Sequence, residues 1–258
     1  MRPIFYRFWL LTIISLLLSL SIGIINPQNS FALSWMDLLF RGVQVIQLST
    51  ISPQQEVAIG RQINQGLLES GKVKLSKDAR INQYVQEIGQ RLAATSDRPD
   101  LPYTFQVVRD NSINAFATMG GFVYLHTGLI KTTDNEAELA SVIAHEIGHI
   151  VGRHSITQLR NTALAQGLLS AAGLETKTWV QLGVNLAYSL PNSRKDELEA
   201  DRLGLKNLAK AGYEPTAMIS FMQKLAQQGG STPTILSTHP ATNDRIVALQ
   251  KQLNSVNN

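Results

Sequence analysis

The chain has 258 residues, 44% hydrophobic and 16% charged, a length and balance that suit one substantial buried core. Outside residues 1–32, whose only charges are Arg2 and Arg7, 21 basic residues face 19 acidic ones; this net +2, with no basic run or aromatic-studded patch, excludes nucleic acid as the expected partner despite a pI near 9.4. There is no cysteine, which excludes disulfides and a bacterial lipoprotein anchor.

An uncharged stretch runs from Phe8 to Ile25 behind the two arginines, and Ser30-Phe31-Ala32 resembles a small-x-small cleavage site. The stretch is longer than a usual signal core and just long enough to span a bilayer. Residues 1–32 are therefore read as a signal peptide or an N-terminal membrane anchor, and 33–258 as one folded domain. Either way the basic end stays inside and the domain lies outside the cytoplasm. Ser34 to Leu48 follows as an apolar-rich helix (Trp35, Leu38, Leu39, Val43, Ile46) that packs on the domain or touches a membrane. Membrane contact through residues 8–25 follows from the anchor reading alone, and contact through 34–48 is open.

Ser52-Pro53 opens a helix to about Ser70, in the N-cap and first-turn manner. Ser76 opens another to about Thr95, with Ile81, Val85, Ile88 and Leu92 on one side. Tyr103–Val108, Ala115–Thr118 and Phe122–His126 read as strands between Asn/Asp and Gly-Gly turns. Gly120-Gly121 is a tight turn rather than a phosphate loop, since neither GxGxxG nor Lys-Ser/Thr accompanies it.

The next helix carries the chemistry. Asp134 or Asn135 caps it, and Leu139, Val142, Ile143, Ile147 and Ile150 give it an apolar face. Within it lies His145-Glu146-x-x-His149. Residues four apart on a helix share a face with Cβ atoms about 5–6 Å apart. That spacing suits two imidazoles holding one zinc ion at about 2.0–2.1 Å. Glu146 sits where its carboxylate reaches a water on the same metal without being a ligand. A buried helix bearing two histidines and a glutamate needs partners for all three, and a metal satisfies them together.

Catalytic zinc usually takes a third protein ligand. One candidate is His154, which falls one residue short of the HExxHxxGxxH pattern because position 155 is Ser155. The other is Glu197, four before Asp201 in a second helical pattern. One carboxylate can bind the metal while the next turn's carboxylate accepts from a ligand histidine, fixing its tautomer. Between the two helices, Gln158 to Pro191 is rich in Ala, Leu and Gly. It reads as a buried helical hairpin or as a movable lid or membrane-contacting loop, with Gly183 and Pro191-Asn192-Ser193 as hinge and helix start. Ala217–Leu225 and Ile246–Leu253 read as scaffold helices.

Together, His145-Glu146-x-x-His149 and Glu197-x-x-Ala200-Asp201 resemble the gluzincin zinc metallopeptidase family that contains the CAAX prenyl protease, HtpX and BepA. Asn114-Ala-Phe-Ala through Gly120-Gly121, Arg153-His154, and Thr238-His239-Pro240 with Asp244-Arg245-Ile246 add to the resemblance, which covers about residues 50–250. Met119 stands where relatives usually carry proline. With no tetratricopeptide array after residue 258, the resemblance points to the single-domain periplasmic branch of BepA and LoiP type. It implies an α+β fold: a mostly helical zincin domain with a small antiparallel sheet packed by the active-site helix. It also implies one Zn²⁺ per chain, a location in the bacterial periplasm or anchored at a membrane facing it, and peptide-bond hydrolysis.

In such an enzyme Glu146 takes the proton of the attacking water and returns it to the leaving amine. His239 and Arg245 are the candidates to stabilise the oxyanion. In relatives of this type the matching histidine also approaches the zinc, which makes His239 a possible switch. An edge strand above the zinc helix binds extended peptide through its backbone, and Gly121, Phe122, Val123, Tyr124 and Leu125 are expected to be that edge. The expected substrates are unfolded or misassembled envelope proteins. The competing readings are a latent zinc-bound chaperone or adaptor held off by His239, and a peptidase restricted to lipidated or short peptides.

Overall fold

The computed structural model describes residues 51–166, 176–187, 192–227, 233–240 and 243–256. The leader or anchor at 1–32, the apolar helix at 34–48 and Pro191 lie outside these residues. No helix among the described residues is long and apolar enough to cross a membrane.

The first helix, α1 (Pro53–Glu69), begins with a reciprocal cap. The Ser52 hydroxyl accepts from the Gln55 amide, the Gln55 side chain accepts from the Ser52 amide, and Pro53 occupies the first turn, where no donor is needed. The second, α2 (Ala79–Thr95), starts later than Ser76 suggests. Asp78 caps it, accepting from the Arg80 and Ile81 amides. Ser76 is engaged elsewhere: its amide donates to Val107 O, and Leu75 bridges Val108, so the chain there still runs beside the first strand, β1 (Thr104–Val108).

Three strands form one sheet in the order β1, β3 (Phe122–His126), β2 (Ala115–Thr118). The fold is the expected mostly helical α+β type, but the sheet is mixed rather than antiparallel. β2 and β3 make an antiparallel hairpin, while β1 runs parallel to β3. The turn explains this. Gly120 and Gly121 have φ of 81° and 95°, and a side chain on Gly121 would meet Pro102 O and Tyr103 Cα at 3.2 Å. The start of β1 therefore lies against the turn, with Thr104 N donating to Gly121 O at 2.9 Å, and proceeds alongside β3.

Gly121, Phe122, Val123, Tyr124 and Leu125 are consequently not an edge. β3 is the central strand, paired on both sides and buried at every residue. Its uninterrupted apolar run is the pattern of a strand covered on both faces. Phe116, Phe122 and Tyr124 join Ile63 and Leu67 of α1 in one cluster, and Phe116 stacks on Tyr124 with centroids 4.4 Å apart. Phe105, Val123 and Leu125 point the other way, into the larger core.

The remaining helices are α3 (Thr127–Thr132), α4 (Glu136–Val151), α5 (His154–Ala165), α6 (Thr176–Leu186), α7 (Arg194–Lys210), α8 (Thr216–Gln227), α9 (Ile235–Thr238) and α10 (Asn243–Val256). The described part of 158–191 is the pair α5–α6, which buries Leu159, Ala163, Trp179 and Val184. Gly183 packs closely on α1 there: a Cβ would meet Ile63 Cδ1 at 2.3 Å.

Two features place α4. Glu56 of α1 is 1% exposed and takes Arg98 Nη1 and Nη2 at 3.0 and 2.8 Å, with Arg153 Nε at 3.3 Å. Arg98 also donates to Ile150 O, so α1 is fastened to the end of α4. Removing one member of such a buried pair costs about 3–5 kcal/mol. Alongside, α4 and α7 touch backbone to backbone. A Cβ on Gly148 would lie 2.5 Å from Ala200 O, and one on Gly204 would lie 3.0 Å from Ala144 O. This close approach brings the two carboxylate positions of α7 to the histidines of α4.

Candidate metal centre

α4 is capped by the Asn135 side chain, which accepts from Glu138 N, and is buried without interruption from Glu138 to Ile150. Its polar groups must find partners inside the protein. His145 Nε2 and His149 Nε2 lie 3.1 Å apart. Glu197 of α7 approaches both, with Oε1 3.3 Å from His149 Nε2 and Oε2 3.5 Å from His145 Nε2. His239, just after α9, completes the group: its Nδ1 is 3.0 Å from Glu197 Oε1 and 3.2 Å from His145 Nε2. One donor atom from each of these four buried residues lies within 4.8 Å of every other. Three imidazole nitrogens and a carboxylate oxygen converging in a buried site are the donor chemistry of zinc.

The surroundings fit the same ion. His145 Nδ1 lies 3.0 Å from Asp201 Oδ1. Asp201 is gripped by Arg245 of α10 through Nε and Nη2, both at 2.7 Å. Arg245 Nη1 also lies 2.7 Å from Glu197 Oε2 and donates to Pro240 O. The guanidinium thus faces the two carboxylates of α7, which departs from the oxyanion role expected of Arg245.

These contacts set the protonation. Burial alone would lower His145, but the Asp201 and Glu197 carboxylates hold it up at about 10. Burial dominates at His149, pushing it down to about 3 against the pull of Glu197. Burial works against ionised Glu197 and Asp201, yet the histidines around Glu197 and the Arg245 and His145 partners of Asp201 hold both below the usual carboxylate range.

Glu146 differs from these carboxylates. It is fully buried, and neither oxygen has a hydrogen-bond partner among the described residues. Burial pushes its carboxyl above the usual range, against the pull of His239 and His145. Its Oε1 lies 3.6 Å from His239 Nε2.

His154 stays outside the donor group. α4 ends at Gly152, Arg153 takes the left-handed conformation at φ 56°, and α5 starts at His154 in a new direction. His154 is buried, with Nδ1 2.9 Å from His149 Nδ1. Glu199 of α7 is half-buried and lies 3.5 Å from His154 Nε2. Ala144/Gly148 and Ala200/Gly204, two small-residue pairs at four-residue spacing, are the signal in the sequence for the close crossing of α4 and α7.

A cleft of about 590 Å³ opens onto Glu146, His149 and His239. Phe116 to Met119 form one wall, and Leu159, Gly183 and Leu186 line the α5–α6 side. A second hollow of about 430 Å³, lined by Val142, Met218, Phe221, Met222 and Leu225, borders His239 and Arg245.

The model of Peptidase family M48 matches residues 79–253. A beta-barrel assembly-enhancing protease of Yersinia pestis is 34% identical over 233 residues, covering 81% of this chain and 46% of that protein. The mitochondrial metalloendopeptidase OMA1 of Schizosaccharomyces pombe is 33% identical over 176 residues, 66% of this chain and 52% of that protein. Metalloprotease YcaL of Escherichia coli is 25% identical over 238 residues, 88% of this chain and 91% of that protein. The chain spans less than half the length of the beta-barrel assembly-enhancing proteases it matches. Among the described residues a buried His/His/Glu/His group is able to hold one ion, and the family match over most of the domain shows that this chain belongs to peptidase family M48.

Proposed function

We propose that the protein cleaves unfolded or misassembled polypeptides of the cell envelope, with zinc held by His145, His149 and Glu197 and with Glu146 as the general base. The observation that carries this reading is Glu146: a carboxylate buried without a hydrogen-bond partner among the described residues, beside a set of converging metal donors. A purely structural zinc site has no use for such a group, which sets aside the chaperone or adaptor reading. Zinc bound at these ligands supplies Lewis acidity to the scissile carbonyl and brings water within reach of deprotonation near neutral pH. Glu146 accepts that proton, helped by a pKa raised by burial, and delivers it to the departing amine. Asp201, held by Arg245, places a carboxylate oxygen 3.0 Å from the far nitrogen of His145, which favours a proton there and so directs Nε2 at the metal. His239 borders the cleft between Glu146 and Glu197, where it either stabilises developing charge or covers the metal until substrate arrives.

Substrate binding falls to β2 in place of β3. Asn114 O accepts from His126 N across the hairpin, so the alternation of an antiparallel ladder turns the amides and carbonyls of Ala115 and Ala117 away from β3. Ala117 lines the cleft with Glu146 and His149. An extended peptide added along this edge presents its backbone to the site without regard to sequence, which suits unfolded segments. The names of the beta-barrel assembly-enhancing relatives agree with an envelope role, and the N-terminal apolar segment supports export or anchoring.

Hydrolysis of unfolded casein by the purified protein tests the proposal. Cleavage should be abolished by a chelator and restored by one equivalent of zinc; a zinc-loaded protein that leaves casein intact would refute it. Ala117→Pro probes the edge separately. It removes an outward amide without touching the ladder, and Pro is tolerated on such edges. KM for a peptide should rise about fivefold to tenfold, the worth of one hydrogen bond, with zinc content unchanged. An unchanged KM would exclude β2 as the binding strand.

A further inference from the structure

We infer that His154 is a positioning residue that fixes the tautomer and direction of His149, as Asp201 does for His145. The inference rests on the reading of His149 as a zinc ligand. His149 turns Nε2 toward His145 and Glu197, so that nitrogen must carry the free lone pair and the proton must sit on Nδ1. The atom facing Nδ1 is His154 Nδ1, at 2.9 Å between two buried rings. Only one arrangement serves the metal: His149 Nδ1–H donates, His154 Nδ1 accepts, and the His154 proton lies on Nε2. The opposite arrangement would place a proton on His149 Nε2, in the middle of the donor group.

The protein biases this choice from the far side of His154. Its Nε2 faces two carboxylates of α7, Glu199 at 3.5 Å and Asp196 at 3.8 Å. Both favour a proton on the nitrogen nearest them, which leaves Nδ1 free to accept. One helix therefore supplies the ligand Glu197, orients His145 through Asp201, and orients His149 through Glu199, Asp196 and His154.

The backbone is shaped to hold the ring there. Arg153 is the one non-glycine residue with positive φ among the described residues, a conformation costing about 1–2 kcal/mol. Its side chain is held by Glu56 and by Ile51 O. A Cβ on Gly152 would meet His154 Nε2 at 2.4 Å, so only glycine leaves room for the imidazole. The turn directs His154 back onto the zinc helix, which a continuing helix would not do.

The test compares His154→Asn with His154→Leu in the full chain. Asparagine can place an amide oxygen close to the position of Nδ1 and accept from His149; leucine fills the space without an acceptor. Zinc affinity is read by chelator competition, and the cobalt-substituted protein is read by its visible d–d absorption. His154→Leu should weaken zinc about 10–100-fold and shift the cobalt bands, while His154→Asn stays within about threefold of the parent chain and keeps its bands. Equal losses in both variants would mean that the imidazole only fills space, and unchanged affinity and bands in His154→Leu would show that His149 needs no such partner. Either result overturns the inference while leaving the metallopeptidase reading intact. Failure of the parent chain to bind zinc would overturn that reading, and the inference with it.

Discussion

Replacing Glu146 by glutamine should lower peptide hydrolysis by about 10²–10⁴-fold while leaving zinc bound. Glutamine has the same size and sits in the same buried place, so α4 and the donors His145, His149 and Glu197 keep their positions. What disappears is the capacity to take a proton. Among the described residues no hydrogen bond competes for the Glu146 oxygens, so no hydrogen bond is lost with the charge. Exchanging a buried carboxyl for a neutral amide relieves desolvation, and thermal stability should therefore hold or rise slightly. Metal analysis and casein cleavage on the same preparations decide the matter. Activity within tenfold of the parent chain would give the base to another group, and zinc lost in step with activity would make Glu146 a metal ligand.

The second large effect comes from Gly148→Ala. In an ordinary helix this change gains up to about 1 kcal/mol. Here the new methyl would stand 2.5 Å from Ala200 O and 2.9 Å from Ala200 Cα, and a carbonyl in a helix cannot turn aside as a side chain can. α4 and α7 must separate. Overpacking of this kind costs about 1–3 kcal/mol, or a few degrees of Tm in a domain of this size. The functional loss should exceed the loss of stability, because Glu197 and Asp201 move away from the histidines they serve. A misplacement of about 1 Å can cost on the order of 10²-fold in rate. Zinc affinity should fall at least about tenfold as well. A variant that melts higher and cleaves at the parent rate would show that the helix contact does not set the site.

These effects differ in how far the sequence announces them. His145, Glu146 and His149 are legible because a helix converts a four-residue interval into a shared face, and Glu197 with Asp201 follows by the same rule. The helix start at Ser52-Pro53 is legible because its capping chemistry is local. The sheet order is not. Phe122-Val-Tyr-Leu125 says that both faces of β3 are covered, but whether a second strand pairs with it depends on the chain before Tyr103 meeting the turn at Gly121, a contact between distant segments. The role of His154 is hidden for a related reason. Residue counting carries it along a continuing helix, whereas a left-handed arginine, held by a glutamate nearly a hundred positions earlier, folds it back. Arg245 carries the required charge, yet only the fold reveals that two carboxylates claim it.

The position of β2 also bears on how the protein avoids its own kind. A strand with unpaired backbone groups is an invitation to sheet extension between copies, and many proteins blunt such edges with lysine, proline or a bulge. Ala115-Phe-Ala-Thr118 has none of these. Its protection is architectural: four residues long, it runs along a cleft whose opposite side is formed by α5 and α6. The edge of another sheet brings a layer about 10 Å thick with it, a far bulkier guest for that cleft than one strand. If this edge binds substrate as proposed, the enclosure that favours a single strand also disfavours two molecules joining edge to edge.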